Sequence, residues 1–310
     1  MAVEPSLRQL RYLVALADTL HFGEAAAICH VSQPNLSAQL RELERTLGAQ
    51  LVERTSRQVL LTPVGAEIVG RAREVLSRVD ELTDAAAVGT DPFSGPLRLG
   101  VIPTISPYVL PKALPAVRRS HPELELHLTE DYTDRLVSRL VDGELDLLLL
   151  ALPVESATGI STKALIDEPF VVAAPRRHRL SDRETVAVED IDVSEMLLLR
   201  DGHCLRDQAL AACNVDRAAR RQVVEGSSLS TLVQMVANGL GITLLPQTAV
   251  AVDVPSGNEV AIRSFHSPRP GRTIGLAWRT TSPRTAVFDE LGKILCKEIG
   301  RLIERGRKGR

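Results

Sequence analysis

The feature that most constrains this chain is an alternation that begins at Gly95. From there to about residue 300, short apolar runs and helical patterns follow one another. Residues 97–102 read as a strand, 108–119 as a helix and 124–128 as a strand. Residues 134–141 then read as helix and 145–150 as a buried strand. Strands joined through a helix pair in parallel, because only a crossover of that length returns the chain to the same edge. The segment is therefore expected to be βαβαβ, the unit of a doubly wound sheet. Strand signals resume at 170–173, 196–199 and 222–225. A helix over 229–238 follows, then strands at 242–245, 260–265 and 274–278. A final helix is expected over about 285–303, with Gly306 onward fraying. Two such halves would leave a cleft at the carboxyl ends of the strands.

The first ninety residues follow another rule. Leu7, Leu10, Leu13, Val14, Ala17 and Leu20 recur at helical spacing. A short helix fits 23–29. Ser32 then offers a cap and Pro34 a first turn for a helix through Leu36, Leu40, Leu43 and Leu47, stopped by Gly48. Residues 51–62 read as a β-wing. Two helices joined by a tight turn match a helix-turn-helix. Gln33, Ser37 and Arg41 would share the outer face of the second helix, and Gln and Arg suit base edges in the major groove. Arg54 and Arg57 on the wing would meet phosphate or minor groove. The same spacing also fits an amphipathic surface hairpin with solvated arginines. Beyond Pro63, Ala72, Val75, Val79, Leu82 and Ala86 alternate three and four apart, as in a coiled-coil seam. That helix is expected either to pair two chains or to pack on its own domain.

Charge gives no pointer to nucleic acid. Over 310 residues, 37 basic and 39 acidic side chains leave −2, and residues 1–90 hold 9 basic against 11 acidic. Any DNA binding must come from a few well-placed arginines rather than a basic surface. The densest apolar run, 147–152, is far shorter than the ~20 residues a membrane span needs. The amino terminus has an acid and no basic region, so a secretory signal is not expected and a cytoplasmic location is. Cys29, Cys204, Cys213 and Cys296 are then expected to begin as thiols.

Phe22-Gly23-Glu24-Ala25-Ala26-Ala27, Val31-Ser32-Gln33-Pro34-Asn35-Leu36-Ser37, Leu43-Glu44 and Leu47-Gly48 together resemble the LysR-type transcriptional regulators. Leu51-Val52-Glu53-Arg54-Thr55 and Leu61-Thr62-Pro63-Val64-Gly65 fit the same family. The resemblance covers the whole chain. It implies an N-terminal winged helix-turn-helix over 1–62, a linker and dimerisation helix over 63–90, and a two-lobed α/β regulatory domain over 91–310. That domain would be doubly wound and similar to periplasmic binding proteins, with lobe I at about 95–168 plus 272–310 and lobe II at about 169–271. It also implies a non-enzymatic, cytoplasmic homotetramer, nucleoid-associated when bound to promoter DNA, with RNA polymerase as a candidate partner and no membrane, cofactor or metal. Ser32, Gln33, Pro34, Ser37, Arg41, Arg54 and Arg57 are the DNA-binding candidates. The family often has a small hydroxyl residue where His21 stands, which implies a different cap on the second helix.

The string Asp201-Gly202-His203-Cys204-Leu205-Arg206-Asp207-Gln208-Ala209, with Cys213 nine residues after Cys204, is similar to the hydrogen-peroxide-sensing members of that family. Ile102-Pro103-Thr104, Gly241-Ile242-Thr243-Leu244-Leu245-Pro246 and Arg272-Thr273-Ile274-Gly275-Leu276 support it. The resemblance implies that Cys204 reacts with peroxide, that Cys213 resolves it to a disulfide, and that Thr104, His203, Asp207 and Arg272 shape the pocket. Chemistry agrees: a sensor cysteine reacts as thiolate, favoured by a helix start and nearby cations such as His203, Arg206 or Arg272. If 204–213 is helical, the two Cα atoms lie roughly 13.5 Å apart on opposite faces. A disulfide needs them within ~7 Å, so oxidation must remodel the segment. Cys29 and Cys296 match no sensing position and read as small buried residues.

Three rivals stand beside this reading. A LysR-type regulator could instead sense a small metabolite in the interlobe cleft. A thiol peroxidase would turn over without DNA. A solute-binding transport protein would share the two lobes but need export.

Overall fold

The computed structural model describes residues 4–54, 59–88, 92–154, 158–213, 225–254 and 259–308. The chain divides into two compact units, Met1–Gly89 with Val141–Glu144, and Thr90–Leu140 with Leu145–Arg310.

The N-terminal unit begins with α1 (Leu7–Thr19), closed at its start by a reciprocal Ser6–Gln9 capping box. In α2 (Phe22–Ile28) the cap is the His21 ring, whose Nδ1 accepts from the Glu24 N–H at 3.2 Å. In α3 (Gln33–Leu47), Ser32 occupies the cap position, but its hydroxyl makes no capping bond. Pro34, the second helical residue, has no N–H to offer, which leaves only the Asn35 N–H as a capping donor. Gly48, at φ +66°, ends α3 in the left-handed turn that glycine enters without steric cost. The wing is a hairpin of β1 (Val52–Arg54) and β2 (Val59–Leu61). Glu44 on α3 accepts the backbone N–H groups of Leu51 and Val52, tying the wing's root to that helix. Thr62 then leads into α4 (Pro63–Val88). Leu13, Leu16, Ala25, Leu36, Leu40, Leu43 and Leu51 form the core beneath these elements.

The second unit opens with β3 (Gly95–Val101), α5 (Ser106–Ser120), β4 (Leu124–Glu130), α6 (Thr133–Val141) and β5 (Leu147–Leu152). The order β4-β3-β5 is parallel, as the alternation requires. The rest departs from a parallel sheet. The apolar run at 170–173 is only the end of β6 (Ile160–Pro175), a 16-residue strand. After it come β7 (Thr185–Val186), β8 (Leu198–Leu199), α7 (Cys204–Ala212), β9 (Glu225–Gly226), α8 (Leu229–Ala237), β10 (Thr243–Pro246), α9 (Gln247–Asp253), β11 (Val260–Phe265), β12 (Gly271–Arg279) and α10 (Thr285–Lys308). Strand β12 pairs antiparallel with both β5 and β6, and β10 and β11 pair antiparallel with β6. Residues 160–169 of β6 carry polar side chains on partly solvated positions, which is why no apolar run announces them.

Strand β6 is shared. Its Ile160–Pro169 stretch pairs with β12, and Phe170–Pro175 with β10 and β11. Two cores follow the handover. One gathers Leu97, Val109, Leu148, Ile274, Phe288 and Ile299; the other gathers Phe170, Val172, Leu199, Leu210, Val233 and Phe265. The carboxyl end of α10 does not fray at Gly306. The helix continues to Lys308 with Gly306 buried, where an added Cβ would stand 2.4 Å from the Gln247 carbonyl oxygen.

Candidate functional site

Strands β8 and β9 pair for two residues and deliver the chain to the loop 200–203. Gly202, at φ +98°, turns it, and His203 takes the cap position of α7, leaving Cys204 as the first helical residue. A thiolate there faces the unpaired N–H groups of the first turn. Arg206 is buried. It donates to the Leu199 carbonyl at 2.6 Å and pairs with Asp201 at 3.0 Å and Glu225 at 2.7 Å. Its charge is therefore spent on fixing the loop rather than on the sulfur.

Cys204 lines a narrow cavity with Thr104, Tyr132, Thr133 and His203, too tight to hold a water molecule. Thr104 follows β3, while Tyr132 and Thr133 follow β4, so the cavity sits at the carboxyl ends of parallel strands. The edge of one of the His203 and Tyr132 rings meets the other's face, with centroids 4.7 Å apart. Both His203 ring nitrogens are buried, as is Thr133 Oγ1, and none has a hydrogen-bond partner of ordinary geometry. Burial, and secondarily the Arg200 charge, lower the His203 pKa, with weaker opposing pushes from the Ser227 backbone and Glu130. That environment favours the neutral ring over the thiolate-stabilising cation.

Arg272 reaches the cavity through Thr104. Its Nη1 donates to Thr104 Oγ1 at 2.7 Å and its Nη2 to the Thr104 carbonyl at 3.0 Å. Its Nε donates to Glu168 at 2.8 Å, and both side chains are fully buried. The second Glu168 oxygen accepts the Thr248 N–H at 2.8 Å and the Thr248 hydroxyl. Asp207 does not line the cavity. It is half-buried in the first turn of α7, where a carboxylate suits the helix start. Tyr132, Thr133, Glu168 and Thr248 carry no motif that marks them in the sequence. The rule that ligands gather beyond the carboxyl ends of parallel strands would have flagged Thr133.

Cys213 caps the other end of α7. With the segment helical, the two sulfur-bearing residues stand roughly 13.5 Å apart by helical rise. All four cysteines are free thiols. Cys204 packs against the first core and Cys213 against the second. Burial pushes the Cys213 thiol up to about 11. The Cys296 thiol donates to the Leu165 carbonyl at 3.3 Å, and burial raises the Cys29 pKa.

In the N-terminal unit, Leu36, Leu40 and Leu43 turn into the core, so Ser32, Gln33, Pro34 and Arg41 are exposed and Ser37 is half-buried on the other side of α3. Arg54 lies on β1, and Arg57 lies outside the described residues. On α4, Ala72 is buried, whereas Val75 and Leu82 are exposed.

Residues 7–66 match the family described as bacterial regulatory helix-turn-helix protein, lysR family, and residues 90–298 match the LysR substrate binding domain. The chain is 45% identical to a probable hydrogen peroxide-inducible genes activator of Streptomyces viridosporus, over 94% of each chain. It is 43% identical to the DNA-binding transcriptional dual regulator OxyR of Escherichia coli K12, again over 94% of each. Among solved structures, a full-length OxyR variant from Pseudomonas aeruginosa superimposes with a TM-score of 0.79 at 39% identity, covering 94% of this chain and 95% of that one. A hydrogen peroxide-bound OxyR mutant from Corynebacterium glutamicum gives 0.67 at 35% identity, covering 99% and 97%. Helix-turn-helix unit, regulatory unit and full-length relatives agree, and the chain belongs to the LysR family of bacterial transcriptional regulators.

Proposed function

We propose that this chain is a DNA-binding regulator that reads hydrogen peroxide at Cys204 and controls oxidative-stress genes. The observation that carries the reading is the placement of Cys204, at the first residue of α7, in a narrow cavity that it shares with Thr104, Thr133 and His203. The buried Thr133 hydroxyl has no hydrogen-bond partner there, and a slight opening would let a small two-oxygen ligand supply one. The Cys204 thiolate attacks one peroxide oxygen, giving a sulfenic acid and water. Attack by the Cys213 thiol then expels a second water and leaves a disulfide, which the helical separation permits only after α7 opens. The remodelled regulatory unit would repack subunits of a homotetramer and shift the spacing of its DNA-reading helices. Ser32, Gln33, Pro34, Ser37 and Arg41 on α3, with Arg54 and Arg57 of the wing, are the groups offered to DNA. RNA polymerase is the partner such a shift would engage. No described helix is long and apolar enough to cross a membrane, and we place the regulator in the cytoplasm, on the nucleoid when bound to promoters.

Footprinting on a promoter fragment tests the whole reading at once. Reduced and peroxide-treated protein should protect different lengths or phases of the operator. Cys204→Ser protein should bind but give one footprint under both conditions. An unchanged wild-type footprint after complete Cys204 oxidation would sink the proposal. One observation favours a metabolite effector instead: a groove of about 720 Å³ beside β6 and β12, lined by Asp167, Gln208, Arg269 and Arg307. In that case stoichiometric peroxide leaves Cys204 reduced.

A further inference from the structure

Glu168 is a fully buried carboxylate that, besides accepting the Thr248 N–H in the first turn of α9, faces a buried guanidinium. It stands directly opposite Arg272 in the β6–β12 register, at the point where β6 passes from one core to the other. An isolated carboxylate or guanidinium in such a place would be costly, and each answers the other. The geometry does more than neutralise charge. With Nε held by Glu168, the remaining guanidinium donors are directed at Thr104, one to its hydroxyl oxygen and one to its carbonyl. A hydroxyl oxygen that accepts from Arg272 keeps its own proton for another acceptor, and Thr104 lines the narrow cavity that it shares with Cys204. Thr248 anchors the far Glu168 oxygen with two donors, so the carboxylate cannot swing away.

We propose that Glu168 is a positioning residue for the oxidation of Cys204: it holds Arg272 so that the Thr104 hydroxyl donates to the peroxide oxygen that leaves. The S–O bond forms as the O–O bond breaks, sulfur is oxidised to sulfenic acid, and the departing oxygen is reduced to hydroxide. The hydroxide takes up a proton, balancing the one lost when the thiol ionised. The Thr104 hydroxyl stabilises the negative charge that grows on that oxygen and keeps its own proton. Arg272 acts through Thr104, and its charge is already matched by Glu168. The cation is thereby kept from serving chiefly to ionise the sulfur.

This inference rests on the peroxide reading of Cys204, and the test separates the two. Reduced full-length protein, wild type and Glu168→Gln, is mixed with hydrogen peroxide, and Cys204 sulfenic acid is trapped and quantified by mass. In parallel, Cys204 is alkylated with iodoacetamide from pH 5 to 9. A misaimed transition-state donor costs about ten- to a hundredfold, so the peroxide rate constant of Glu168→Gln should fall by about that factor. The alkylation profile, which reports only the thiolate, should stay in place or move to lower pH, because an unmatched Arg272 favours the anion. Glu168→Asp, which keeps the charge, should recover part of the peroxide rate. If Glu168→Gln does not fold, Thr248→Val loosens the same carboxylate and should lower the peroxide rate severalfold with the alkylation profile unmoved. Equal peroxide rates in wild type and variant, or peroxide and alkylation rates falling in the same proportion, overturn the proposal. A wild-type Cys204 inert to peroxide overturns the functional reading instead.

Discussion

The two cysteines that bound α7 have unlike surroundings. Cys213 is pressed into the second core, and burial holds its thiol up to about 11, against an ordinary value of 9.0. Two pH units mean roughly a hundredfold less thiolate at pH 8. Time-resolved alkylation at pH 8 should therefore label Cys204 well before Cys213, and the Cys213 rate should climb steeply as pH approaches about 11. Equal labelling rates would contradict the buried setting. The sign for stability follows from the raised folded value: the neutral thiol favours the folded state below pH 9, and that contribution is lost as pH rises through about 11. At this scale the sequence string around Cys204 pointed to peroxide chemistry, but not to the wiring around it. Glu168 and Arg272 are 104 positions apart, and only the β6–β12 register makes them neighbours.

Helix α7 is short, and its hydrogen bonds are what separate the cysteines. Cys213 can reach a Cys204 sulfenic acid only through conformations in which those bonds are broken. Ala211 is exposed in its last turn, and Ala211→Gly weakens a helix by about 1 kcal/mol, about fivefold in the opening equilibrium. Sulfenic acid formation should be unchanged in this variant, while disulfide formation, followed by non-reducing peptide mass analysis, speeds up severalfold. An unaltered second step would mean that the bond forms without unwinding α7. The elements themselves were unequally legible. Amphipathic helices such as α1, α3 and α8 stand out by period, and the βαβαβ run by its apolar strands. The first ten residues of β6 did not, because they alternate weakly and lean on β12 rather than on a continuous core. Helix α9 was equally silent, since Gln247–Asp253 follows β10 without a break.

For the whole molecule, near-zero charge limits how strongly one reading head can hold DNA. Few phosphate contacts give weak binding to one half-site, so occupancy must come from several heads on one assembly. Helix α4 offers the means: Val75 and Leu82 are exposed apolar side chains, Leu82 at 73%. Leu82→Glu would put a charge in that seam. Sedimentation should show a lower assembly state, with the thermal transition of the reduced fold little changed. An unchanged mass would remove α4 from the interface. The order of the zones, reading head, long helix and α/β unit, was legible from the change of hydrophobic period alone. The mixed direction of the sheet was not, because strand direction depends on partners that a linear pattern does not identify.

Helix α7 also stands at a branch point. Under the proposed chemistry a sulfenic acid at its first turn has two fates: two equivalents of a small thiol return it to the thiol through a mixed disulfide, or the nine-residue helix comes undone and the locked form follows. The stability of α7 would set how the two divide, and with it the share of oxidant encounters that leave a lasting mark.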